Sequence, residues 1–134
     1  TMGTRSGAID GVAVLRMAEI HGAAEASRRL NKDSGLKGLG GASDMRLLLA
    51  ADTDQANFAV DHFCYWAARH AGSEVVAMGG LDAVAFTGGM GQNSADIRDR
   101  IMAHLAFLGD VPVHVIDADE ERQIALDATS IVPV

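Results

Sequence analysis

The residues most able to do chemistry lie in Leu81 to Ser94, which reads LDAVAFTGGMGQNS. Gly88, Gly89 and Gly91 leave the backbone bare and free to take positive φ, so amide groups there can approach a ligand that side chains would block. The polar residues after them, Asn93 and Ser94, open a helix whose unpaired N–H groups and partial positive charge suit an anion such as a phosphate. The short run Ala83 to Thr87 before the glycines is rich in strand formers. A strand, a glycine turn and a helix N-terminus thus follow one another. The same sequence of elements also serves as a plain connection in any α/β protein, and the loop alone leaves both readings open.

Other candidates are weaker by spacing. Asp44 and Arg46 read as a charged first helical turn exposed to water. The single Cys64 falls on an apolar helical stripe, where packing rather than nucleophilic chemistry is its expected role, and it has no partner for an internal disulfide. That cysteine usage fits a reducing, cytoplasmic setting. His62 and His70 lie off the stripe without a Cys or carboxylate at ligand spacing, so no zinc site is expected.

The elements that must position these groups follow from periodicity. Residues 1–11 read as a loop with a helix start at Asp10. Val12 to Ile20 forms an amphipathic helix, and Ala23 to Asn31 a second, alanine-rich one with Glu25, Arg28 and Arg29 on its wet side. Gly35 to Ser43 holds four glycines in nine residues, and reads as a mobile linker or a loop shaped by something it holds. Ser43 is the expected cap of a short helix to about Ala51. Asp52 and Gln55 have capping-box spacing and open the longest helix, to Met78, with Ala56, Ala59, Val60, Phe63, Cys64, Ala67, Ala68 and Ala71 as its core stripe. Gly79-Gly80 closes it. After the glycine turn, Asn93-Ser94 starts a helix with Ile97, Ile101, Leu105 and Leu108 on one face. Val111 to Ile116 is a second strand. Asp117 to Glu120 has capping-box spacing and opens a helix through about Thr129.

Helices followed by β-α-β-α imply an α/β fold with parallel strands. Two parallel strands do not make a stable sheet alone, so more must come from elsewhere. The chain opens on a turn-rich segment with no strand before it, which points to a piece of something longer. With 134 residues the chain holds at most one domain. Its formal charge of −7 and lack of a basic cluster argue against nucleic acid or an anionic membrane as partner. Apolar residues reach 49% but are interrupted by charges well short of a membrane span, and no secretory signal is evident.

Four segments together carry a resemblance: TMGTRSGAID (1–10), LNKDSGLKGLGGASDMR (30–46), LDAVAFTGGMGQNSADIRDRI (81–101) and VIDADEERQIALDA (115–128). In order and spacing the chain resembles the C-terminal part of the acetokinase family, within the actin-like ATPase superfamily with its ribonuclease H-like sheets. The resemblance implies an incomplete C-terminal nucleotide-binding domain over 1–134, with the N-terminal domain and its asparagine, arginine and aspartate absent, as are the histidine-bearing loops and the first strands of the C-terminal domain. It implies a parent that phosphorylates acetate with ATP and Mg2+, giving acetyl phosphate and ADP, and that is a cytoplasmic homodimer. It places Gly88, Gly89, Met90, Gly91 and Asn93 near the adenosine of ATP or ADP, with Asp44, Met45 and Arg46 as the other wall of that pocket. Arg5 matches the active-site arginine and Glu120 the glutamate associated with magnesium. Gln92 stands where the family usually has glutamate, and Met45 where an aromatic is common. A chain carrying one wall of a two-domain cleft is expected to have no kinase activity alone. A non-catalytic nucleotide-binding or self-associating module, or a propionate or butyrate kinase relative, are the alternatives.

Overall fold

A computed structural model describes residues 1–131. Among them, eight α-helices and two strands run in the order α1 (Gly11–His21), α2 (Ala23–Lys32), α3 (Gly35–Gly40), α4 (Met45–Ala51), α5 (Asp54–Met78), β1 (Val84–Phe86), α6 (Gly88–Asn93), α7 (Ala95–His104), a 3-10 turn (Ala106–Leu108), β2 (Val113–Val115) and α8 (Glu120–Ile131). The two strands pair in parallel, with Val84 opposite Val113, Ala85 opposite His114 and Phe86 opposite Val115. Both strands are shorter than the residues 83–87 and 111–116 expected for them. No helix among the described residues is long and apolar enough to cross a membrane.

Helix α5 is the axis of the core. Its small residues Ala56, Ala59, Val60, Cys64 and Ala68 are buried, and Leu36 of α3, Leu48 of α4, and Ile97 and Ile101 of α7 close on them. A stripe built mainly from alanine allows three helices to approach one. Each fully buried Leu or Ile contributes roughly 1.5–3 kcal/mol by area removed from water, so α3, α4 and α7 are each pinned by their own anchor.

Several local expectations are corrected. The glycine-rich segment after Gly35 is a helix, not a linker. The opening segment supplies acceptors for its first turns: Ser34 N donates to Thr4 O, Leu36 N to Met2 O at 2.8 Å and Lys37 N to Gly3 O at 3.0 Å. Gly35 has φ +60°, and a Cβ there would lie 2.1 Å from Met2 O, so glycine is required for this crossing. Asp44 rather than Ser43 caps α4, its Oδ1 accepting from Arg46 N at 2.9 Å; a carboxylate is the stronger acceptor at a helix N-terminus. The Asp52–Gln55 box does not form, because Asp52 takes a left-handed φ of 44° at the end of α4. Thr53 caps α5 instead, Oγ1 accepting from Ala56 N. Helix α1 forms with Asp10 as its cap and packs mainly on α2, but its apolar Val12, Leu15 and Ile20 stay exposed.

The glycine turn is also more regular than expected. Residues 88–93 make the short helix α6, and of its three glycines only Gly88 has positive φ, at 70°. Asn93 ends α6, and Ser94 alone caps α7. At α8 the expected pairing of Asp117 with Glu120 is replaced: Asp119 Oδ1 accepts from Arg122 N at 3.0 Å, while Asp117 accepts from Gln92 Nε2 at 3.1 Å. That last bond ties α6 to the segment leading into α8.

Candidate functional site

The first turn of α4 and the helix α6 face each other across a cleft of about 850 Å3. Asp44, Met45 and Arg46 line one side, with Leu49 and Ala50 a turn further on; Gly89, Met90, Asn93 and Ser94 line the other. Two segments more than forty residues apart in sequence are brought together because α4 packs on α5, and α7, which continues directly from α6, packs on the same helix. The volume falls within the range of small-molecule and cofactor sites.

Each side is fixed locally. Asp44 takes a bidentate grip from Arg46, with Nη2 donating to Oδ2 at 2.6 Å and Nε to Oδ1 at 3.1 Å, besides capping the helix. The Arg46 guanidinium, then its backbone N–H, hold the Asp44 carboxyl below its usual range. Arg46 is 89% exposed and stands at the rim. Met45 is buried at the floor, and Met90 is 40% exposed. On the other side Asn93 Nδ2 donates to Gly89 O at 2.9 Å, closing α6 on itself. A Cβ at Gly89 would meet nothing within 4 Å, so the space above it is open to a ligand. Leu49 and Ala50 were not singled out in the sequence, although their spacing of four from Met45 and Arg46 puts them on the same helical face.

A second cavity, of about 360 Å3, adjoins the first and shares Gly89 with it. Gly88 and Gln92 line one side; Asp119, Glu120 and Glu121, at the start of α8, line the other. No group of three or more His, Cys, Asp or Glu side chains among the described residues is arranged to hold a metal by itself. Asp119 already serves as a cap, which leaves Glu120 and Glu121 as acidic groups beside the glycines. This donor set fits magnesium held in the manner usual for phosphate substrates, by one or two carboxylates together with phosphate oxygens and water.

Two expected residues lie elsewhere. Gly91 lines neither cavity. Its Cβ position would be 3.4 Å from Phe86 C and Cβ, so the missing side chain serves the packing of α6 on β1. Arg5 is exposed, and its guanidinium makes no hydrogen bond or ion pair among the described residues. Its neighbours Ser6 and Gly7 border a third cavity, of about 420 Å3, with His62, Trp66 and His70 of α5. His62 Nδ1 pairs with Thr1 Oγ1 at 2.8 Å, and burial lowers its pKa.

Comparison with known proteins supplies the context for this arrangement. The Acetokinase family model matches residues 1–131. The chain is 40% identical to the acetate kinase of Nitrobacter hamburgensis over 97% of its own length and 38% of that protein. Among solved structures, the propionate kinase of Francisella tularensis superposes with a TM-score of 0.86 at 34% identity, over 92% of this chain and 38% of that one. The acetate kinase of Porphyromonas gingivalis superposes with a TM-score of 0.87 at 30% identity, over 98% of this chain and 40% of that one. The chain therefore spans well under half the length of these relatives. The helices with two parallel strands are part of the actin-like ATPase fold of these kinases. By sequence along nearly its whole length and by fold, the chain belongs to the acetokinase family.

Proposed function

We propose that this chain is the C-terminal nucleotide-binding part of an acetate kinase, an enzyme passing the γ-phosphoryl group of ATP to acetate. The observation that carries the reading is the cleft in which Ser43 to Arg46, at the start of α4, face Gly89, Met90 and Asn93 of α6. In this assignment Asp44, Met45 and Arg46 form one wall around the adenosine, and Gly89, Met90 and Asn93 the other, with Gly89 leaving room for close approach. The phosphates run from there toward Gly88 and the acidic start of α8.

In the whole protein an acetate carboxylate oxygen attacks the γ-phosphorus, the bond from that phosphorus to the β,γ-bridging oxygen breaks, and ADP leaves with acetyl phosphate formed. Such a transfer is governed by positioning and charge neutralisation. Magnesium, when bound, supplies part of that neutralisation, and Glu120 is the residue assigned to hold it, directly or through water. Arg5 has a free planar guanidinium able to hold two oxygens of the moving group. The substrate-side groups, acetate selection and a homodimeric, cytoplasmic parent belong to the proposal for the whole protein. Propionate as acceptor is the second reading, favoured by the similarity to the Francisella protein.

Calorimetric titration of the 134-residue chain with ADP tests the assignment. Saturable binding with one site is expected, together with no hydroxamate-trappable acetyl phosphate when ATP, Mg2+ and acetate are added. Absence of ADP binding would refute the role of the cleft. Acetyl phosphate made by the chain alone would refute the division of the catalytic groups between two parts.

A further inference from the structure

Helix α6 has only six residues, so most of its carbonyls lie in its unpaired last turn. Their partners can be traced. Gly89 O accepts from the Asn93 side chain and Met90 O from Ser94 N at 3.1 Å. Gly91 O and Gln92 O accept from one group, Nη1 of Arg98, at 2.8 and 3.0 Å. Arg98 reaches back from the first turns of α7, between the buried Ile97 and Ile101 that anchor that helix on α5. The guanidinium is partly buried and meets the negative end of the α6 dipole.

We infer that Arg98 is a positioning residue for nucleotide binding: its guanidinium clamps the C-terminal carbonyls of α6 to the core and so holds Gly89, Met90 and Asn93 in the shape the cleft requires. A helix half made of glycine has little propensity of its own. Without the clamp its backbone pays the ordering entropy when ligand binds, and affinity falls. Arg98 lines neither the 850 Å3 cleft nor the 360 Å3 cavity, so it acts through α6 and not by touching the ligand. This inference rests on the cleft being a nucleotide site, and its test is divided accordingly.

The first arm needs no nucleotide. Amide exchange is followed at residues 89–94 in the unsubstituted chain, in Arg98→Met, which keeps the stem and removes the donors, and in Arg98→Lys, which restores a charged donor. Exchange is expected to quicken roughly ten- to a hundredfold in Arg98→Met, the scale of a hydrogen bond to a charged group, and to return most of the way in Arg98→Lys, with the amides of α5 unchanged. The second arm is ADP titration: affinity is expected to fall about tenfold or more in Arg98→Met and to be largely recovered in Arg98→Lys. Unchanged exchange in Arg98→Met overturns the clamp. Loosened exchange with unchanged ADP affinity overturns its link to binding. Failure of both variants to fold makes Arg98 a general structural residue and overturns the inference as well. No ADP binding by the unsubstituted chain sinks the nucleotide assignment, and with it the binding half of the inference, while the exchange arm still decides the clamp.

Discussion

Gly40 and Gly72 both lie in helices, yet replacing each with alanine is expected to act in opposite directions. At Gly40, the last residue of α3, an added Cβ would sit 2.6 Å from Leu48 Cδ2 and 2.7 Å from Ala59 Cβ. The leucine tip can rotate away. Ala59 cannot, because its Cβ is fixed to the backbone of α5 and is fully buried. Relief therefore requires α3 to lift from α5 by several tenths of an ångström, which disturbs the seat of Leu36. Overpacking of this kind costs about 1–3 kcal/mol, offset by less than about 1 kcal/mol of helix propensity gained on replacing glycine. The net loss is roughly 1–2 kcal/mol, or about 3–10 °C in melting temperature for a chain of this size. At Gly72, within α5, the Cβ meets nothing within 4 Å, and only the gain of about 0.5–1 kcal/mol remains. Thermal and urea melts followed by far-ultraviolet circular dichroism measure both. A Gly40→Ala chain as stable as the parent, beside a stabilised Gly72→Ala, would refute the claim that glycine is there for close helix approach.

Three further outcomes are expected. Gly89→Leu should fold, since a Cβ there meets nothing within 4 Å, but lose ADP affinity about tenfold or more by filling the cleft; equal affinity would sink the placement of adenosine. Burial pushes the Cys64 thiol up to about 11, so a disulfide reagent at pH 8 should leave the native chain unmodified and react fully once it is unfolded in guanidinium. Rapid native labelling would contradict that burial. Hydrogen bonds from Arg28, then Arg29, hold the Glu25 carboxyl at about 2, below its ordinary 4.5. The stabilisation is present in full above pH 4.5 and is lost as pH falls toward about 2. Carbon-detected NMR titration of Glu25 should show the low midpoint, and Arg28→Gln should raise it; a midpoint near the ordinary value in the parent chain would dispose of this assignment.

How much was legible varies with the range of the interaction. The stripe of α5 was readable because residues three and four apart share a face whatever surrounds them. The same rule found the apolar positions of α1 but could not say that nothing described covers Val12, Leu15 and Ile20. The helix α3 was hidden because its order depends on carbonyls of residues 2–4, some thirty positions away, and on the closeness of Ala59. Asp52 was the expected cap of α5, and the left-handed turn it takes, which hands the role to Thr53, has no signature in the spacing. At the site, Asp44 to Arg46 and Gly89 to Asn93 could be matched as two family segments, and the fold sets them face to face. Arg98 escaped notice because its work is done by a long side chain reaching back to main-chain oxygens, which leaves no spacing signature. Arg5 is a case of the opposite kind, plain as a motif but away from both cavities beside α6.

The parallel pairing of β1 and β2 has a further consequence. Helix α8 reaches the site through β2 and residues 116–119, with the Gln92–Asp117 bond as a side stay. A slip of one residue between the strands would carry Glu120 about 3.3 Å along the strand direction and invert every side chain of β2. The three facing pairs, with Ala85 against His114 at their centre, therefore act as a gauge block: they set the gap between the glycines and the acidic helix in whole-residue steps.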